Sequence, residues 1–135
     1  MRWPDVVTAL LDTLEADAAL SAIIGTAIYR SDDHRDFRVP SMEYTIISDV
    51  EEERFNPIRI QWDVFVRTDA HLIVCETRLR ALMHHDLPTE IGGVKMWSQY
   101  AARQETQGLG DGIRGSSTDF IYTPIRSRYV RADDS

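Results

Sequence analysis

The chain has 135 residues, 43% hydrophobic and 27% charged, with one cysteine and a formal net charge of −7, the balance of one globular domain that buries about two thirds of its unfolded surface. Residues 1–53 hold twelve acidic and four basic side chains, and residues 54–135 hold ten and eleven, which excludes nucleic-acid binding by neutralisation of the phosphate backbone. No apolar run approaches the roughly 20 residues of a membrane span, and the first residues lack a basic and then apolar leader, so a cytosolic product with no membrane partner is expected.

Val6, Val7, Leu10, Leu11, Leu14 and Ala18 recur at three and four, with Asp5, Asp12, Glu15 and Asp17 opposite. This spacing, behind Pro4, predicts an amphipathic helix over about 4–19. Ser21 to Ile24 reads as a turn ended by Gly25, and Ile28 to Arg30 as a short strand. Residues 31–39 form a charged loop. Met42, Tyr44, Ile46 and Ser48 then alternate with Glu43, Thr45, Ile47 and Asp49, a second strand.

The clearest period of two in the chain lies at 58–67, where Ile58, Ile60, Trp62, Val64 and Val66 form one apolar set and Arg59, Gln61, Asp63 and Arg67 alternate with them. One face of that strand belongs to a core and the other to water or a partner. Phe65 is the apolar residue on the second face that a purely solvated surface would not need. Residues 41–67 therefore form a long hairpin with an acidic tip at Glu51, Glu52 and Glu53.

Thr68 and Asp69 cap a helix with an apolar stripe of Leu72, Cys75, Leu79, Leu82 and Met83 and an outer face of His71, Glu76, Arg78 and Arg80. Cys75, on the stripe, reads as a buried structural thiol. Beyond Pro88, Lys95 to Ala101 is a strand with Val94, Met96, Ser98 and Tyr100 on one side. Residues 103–117, rich in Gly, Gln, Ser and Thr, read as a mobile loop. A last strand, about Thr118 to Val130, carries Phe120 and Tyr122 on one face and Ile121, Ile125 and Tyr129 on the other, with Pro124 marking an edge or bulge. The prediction is a single α+β domain over 1–135, with a largely antiparallel sheet of four to five strands and two helices on one face.

The patterns that could carry chemistry are weak. Gly110-Asp111-Gly112-Ile113-Arg114-Gly115 matches a dinucleotide fingerprint in letters, yet a polar loop precedes it and a strand follows. His84 and His85 point about 100° apart on a helix and cannot easily share an ion, and His34 and His71 have no paired ligands. Glu51 to Glu53 at a turn tip is the wrong place for a general acid, which needs a buried carboxyl. No nucleophile motif is present. The expectation is no enzyme, no cofactor and no metal, and a domain made for protein contacts. Fourteen of the fifteen basic residues are arginine, which suits bidentate pairing across interfaces, although a GC-rich genome gives the same bias.

Taken in order, these elements resemble the tail terminator, or tail completion, proteins of long-tailed bacteriophages and related gene transfer agents, a group that includes the tail terminator of phage lambda. The resemblance covers most of the chain. It rests on Leu14-Glu-Ala-Asp17-Ala-Ala-Leu20 before Ile28-Tyr29, on Val39-Pro40 leading into Tyr44-Thr-Ile-Ile, on Ile60-Gln-Trp62-Asp-Val-Phe-Val running into the Asp69 helix, on Leu79-Arg80-Ala81-Leu82, and on Phe120-Ile-Tyr122.

The resemblance implies a structural virion protein, assembled in the bacterial host cytoplasm. Six copies would form a ring at the head-proximal end of the tail tube, stop tube polymerisation and meet a neck or head-completion protein. A ring of identical copies needs a heterologous contact whose rotation closes. Arg59, Gln61, Asp63, Phe65, Arg67, Arg126 and Arg128 are the expected subunit interface. Asp49, Glu51, Glu52 and Glu53 would line a lumen through which DNA passes without specific binding. Gly108, Gly110, Asp111, Gly112, Arg114 and Gly115 would form a docking loop that orders on assembly. The competing readings are a head-tail connector or stopper and, from another class, a small ligand-binding domain or enzyme.

Overall fold

The structure is a computed structural model, which describes residues 3–33, 36–48, 57–106, 109–110 and 112–125. Among the described residues three helices, α1 (Trp3–Ala16), α2 (Ala18–Ile24) and α3 (Asp69–Met83), accompany six strands. The strands are β1 (Ile28–Arg30), β2 (Ser41–Ser48), β3 (Ile58–Val66), β4 (Thr89–Ile91), β5 (Val94–Glu105) and β6 (Arg114–Pro124). They form one sheet in the order β1-β2-β3-β6-β5-β4. Every described pairing is antiparallel except β1 with β2, which is parallel. The α+β class is as expected, but the sheet is mixed and has six strands, and the helices number three.

The third helix arises at Asp17, where the single helix expected over 4–19 breaks. Asp17 leaves the helical region (φ −78°, ψ 118°) and its carboxylate accepts the Leu20 N–H at 3.1 Å, so it starts a new helix as an N-cap. Arg78 of α3 holds the same carboxylate by two bonds, at 2.7 and 3.2 Å. Ala18, expected on the apolar stripe, is exposed as a result, while Leu20 and Ile24 take α2 into the core.

The period-two reading of β3 holds: Ile60, Trp62, Val64 and Val66 are fully buried, and Arg59, Gln61 and Asp63 between them are half-buried. Met42, Met96, Phe120 and Tyr122 from the neighbouring strands join them in one core with Val6, Leu10, Leu14, Leu20, Leu72, Cys75, Leu79 and Met83 of the helices. All three helices thus share a core with one face of the sheet. Among the described residues no helix covers the other face. Within the core the Trp62 Nε1–H donates to the Tyr122 hydroxyl at 2.8 Å, which gives both buried polar atoms a partner. Cys75 is buried there, and desolvation pushes its thiol up to about 11, the inert structural cysteine expected.

The largest departure lies at 103–117, expected as a mobile loop. Arg103 to Glu105 continue β5, and Arg114 onward is β6, the strand seated centrally between β3 and β5. Polar composition does not decide here, because both edges of β6 are hydrogen-bonded to neighbours. Small side chains also fit the site: a Cβ on Gly115 would lie 2.6 Å from Leu109 Cδ1 and 3.0 Å from the Val64 carbonyl oxygen. Gly110 and Gly112, at φ 99° and 73°, belong to the connection between the strands. Pro124 ends this central strand, and the bulges lie instead on β5 at Tyr100/Ala102 and on β2 at Ile46/Ser48. The β5 bulge keeps Arg103 on the helix side, where its guanidinium grips Glu76 of α3 at 2.7 and 2.9 Å.

Candidate functional site

The open face of the sheet is built from the residues that alternate with the core set. Across the sheet, Glu43 of β2, Asp63 of β3 and Ser117 of β6 stand in one row, and Thr45, Gln61 and Asp119 in the next. Arg59 is aligned with Ile121, and Gln99 of β5 continues that row. Trp97 stands diagonal to Ile121, within reach of a large side chain.

The charges on this face are mostly matched within the chain. Arg59 donates to the Asp119 carboxylate through Nε at 3.0 Å and Nη2 at 2.7 Å. Asp63 accepts from the Gln61 amide at 3.0 Å and from the Ser117 hydroxyl. Glu43, directly opposite Asp63, differs. Burial first, and the Asp63 charge second, hold its carboxyl above the ordinary glutamate range. The ionised form is therefore disfavoured in the fold. Stability from this group is complete below the ordinary glutamate range and declines as pH rises through the raised value. Replacing Glu43 with Gln is expected to leave the monomer at least as stable as the parent at neutral pH, with any advantage gone by about pH 4. Urea denaturation at both pH values checks this, and a less stable Gln variant at neutral pH would mean that a cation holds Glu43.

Of the residues expected at a subunit contact, the structure gathers Arg59, Gln61 and Asp63 on this face. Arg67 is exposed just past the end of β3. Phe65 is not available there: it is 9% exposed because Phe37 packs edge-on against it, with centroids 5.0 Å apart. Phe37, 54% exposed, presents the aromatic surface instead. The sequence placed Phe37 in a charged loop and gave no sign that it covers β3. Arg126, Arg128, Asp49, Glu51, Glu52, Glu53, Gly108 and Asp111 lie outside the described residues. Arg114 and Gly115 are strand residues, not parts of a free docking loop. Arg114 binds Asp69 at the start of α3 (3.0 Å), and Gly115 packs under Leu109.

The two adjacent histidines clip the end of α3 to β5. The Tyr100 N–H donates to His84 Nδ1 at 3.0 Å, which leaves Nε2 to carry the proton, 3.4 Å from Asp86. The His85 N–H donates to the Ser98 carbonyl at 2.9 Å, and the Ser98 hydroxyl donates to the Met83 carbonyl. The last of these bonds, together with one between the His85 ring and the Leu82 carbonyl at 2.9 Å, satisfies carbonyls that a helix terminus leaves open.

Sequence reasoning missed a second surface. On α3, Ile73 is 63% exposed and Val74 38%, and Ala70 and Thr77 beside them are exposed too. The signal was present as β-branched apolar residues off the buried stripe. Such residues have modest helix propensity, and they do not serve the core here.

No protein-family model matches the chain, and no curated protein matches it. Solved structures do. One is a chain from a structure described as the virion of a native gene transfer agent particle, with a TM-score of 0.64 at 12% identity over 87% of this chain and 92% of that one. A second matches with a TM-score of 0.58 at 16% identity, over 92% of this chain and 96% of that one. At these identities the likeness is one of fold, and in both cases it spans nearly the whole of each chain.

Proposed function

We propose that this protein is a ring-forming tail terminator of a phage-like particle. Copies joined head to tail around an axis cap the head-proximal end of the tail tube, stop its polymerisation and help to join tail to head. The observation that carries this reading is the near full-length likeness in fold to a chain of a gene transfer agent virion. Fold alone does not fix function. The second support is physical: among the described residues one face of the sheet is left open, the kind of surface an assembly protein needs. That face bears a self-matched polar network and an exposed Trp97, which suits a contact between proteins better than bond-making chemistry. Asp49 and Glu51 to Glu53 are proposed as lumen residues that keep passing DNA from adhering.

The test is to mix the purified protein with tail-tube subunits during polymerisation and measure tube length by electron microscopy. A terminator halts growth and appears as a cap at one end. Tubes of unchanged length, with no capped ends, would refute the assignment.

A further inference from the structure

The ring reading leaves open which surfaces meet, and the following inference rests on that reading. Among the described residues, two surfaces lack a covering layer. One is the open face of the sheet, where Ile121 and the 38% exposed Trp97 stand among polar groups. The other is the outer side of α3, where Ala70, Ile73, Val74 and Thr77 recur at three and four and form one uncharged ridge. Single exposed apolar residues need no explanation, but four neighbours without a charge on the solvent side of a helix do.

The charges say what fits. Both carboxylates of α3 are engaged within the chain, Asp69 by Arg114 and Glu76 by Arg103. Arg78 is engaged by Asp17. That leaves Arg80, which lies 4.0 Å above the Tyr100 ring and has no carboxylate partner among the described residues. On the sheet face the balance is opposite. Arg59 is taken by Asp119, while Glu43 and Asp63 face each other with no cation among the described residues. The α3 ridge therefore offers apolar surface and a cation without a carboxylate, and the sheet face offers apolar surface and two carboxylates that no cation among the described residues neutralises. They lie on opposite sides of the domain, since α3 packs its other side on the covered face of the sheet. One molecule cannot bring them together.

We propose that the α3 ridge of one copy, centred on Ile73 and Val74, seats on the open sheet face of the next copy, centred on Trp97 and Ile121, with Arg80 directed toward Glu43 and Asp63. Each contact turns two layers into three, with helices on both faces of the sheet. The contact is heterologous, because a different patch is used on each partner, so it propagates until a rotation closes it.

Cysteine cross-linking tests the pairing. Native Cys75 is buried, with its thiol shifted up, so introduced cysteines report alone. Ile73→Cys and Trp97→Cys proteins are prepared separately, mixed, and treated with a short bis-maleimide, with solution mass measured in parallel. The expected result is a cross-linked dimer in the mixture, none in either protein alone, and a ladder of multimers when both substitutions share one chain. Ile73→Glu is expected to weaken association about tenfold or more while leaving the thermal melt of the monomer unchanged, because Ile73 is 63% exposed. An oligomer that gives only like-with-like cross-links, or none between 73 and 97, overturns this pairing and leaves the ring reading standing. A protein that stays monomeric at every concentration, alone and with tail-tube subunits, overturns both.

Discussion

Trp62→Ala is expected to lower the stability of the folded monomer by about 3 to 5 kcal/mol, a large part of the roughly 5 to 15 kcal/mol available to a domain of this size. Trp62 is fully buried and is the largest fully buried side chain among the described residues. It packs against Tyr44, with ring centroids 5.6 Å apart, and holds the hydroxyl of Tyr122. Truncation opens a cavity and also strips Tyr122 of its hydrogen bond. The two effects can be separated. Trp62→Phe keeps most of the apolar bulk but leaves the Tyr122 hydroxyl buried and unsatisfied, at a cost of about 1 to 3 kcal/mol in addition to the loss of volume. Adding Tyr122→Phe to Trp62→Phe should then cost less than Tyr122→Phe does in the parent. Urea midpoints for the four proteins of this cycle decide the matter. A loss below about 1 kcal/mol for Trp62→Ala would show that the indole does not anchor the core, and strict additivity in the cycle would show that its hydrogen bond to Tyr122 contributes nothing.

The strands with strict alternation were legible from the sequence because one side chain in two must leave water. Residues 58–66 show this most plainly, and so does the pair Phe120 and Tyr122, which alternation put on one face and which are both fully buried. The Thr68 cap was legible too, since a hydroxyl that accepts the His71 N–H at 3.1 Å is a local device. Long-range determinants were not legible. Nothing near Asp17 announces Arg78, sixty-one residues away, so one long helix was the natural reading where the chain makes two. Likewise Ser116, Ser117 and Thr118 have the composition of a loop, yet they stand opposite Val64, Asp63 and Trp62 as the central strand of the sheet. Propensity describes a strand poorly when both of its edges are paired.

The candidate surface divides in the same way. Arg59, Gln61 and Asp63 could be assigned to the open face by alternation alone. Their mutual arrangement could not, because Asp119 reaches Arg59 from a strand sixty residues on. Alternation does not suffice at Phe65: its parity put it on the open face correctly, but Phe37 covers it from a loop that has no periodicity to read. The exposed ridge of α3 was visible in outline and overlooked, because attention to the buried stripe treats every other helix position as solvated.

Gly92→Ala is expected to be the second most damaging of the substitutions considered, at about 3 kcal/mol or more. Gly92 and Gly93 form the two-residue turn between β4 and β5, with Ile91 opposite Val94, and both have positive φ, 56° and 85°. That is the hairpin connection whose twist suits the flanking strands. The two glycines differ in their surroundings. A Cβ on Gly92 would lie 2.4 Å from the backbone oxygen of Ala9 in α1, whereas a Cβ on Gly93 meets nothing within 4 Å. Gly93→Ala therefore meets only the strain of a left-handed conformation, about 1 to 2 kcal/mol. Gly92→Ala adds a collision with a helix backbone that cannot rotate away, and the turn must lift off α1. Gly92→Asn sharpens the contrast, since asparagine tolerates this backbone conformation but still carries the Cβ. It should stay destabilised by about 2 kcal/mol, and Gly93→Asn should be nearly neutral. Equal losses at the two positions would mean that the turn does not press on α1 and that the packing of the first helix against this hairpin is looser than described.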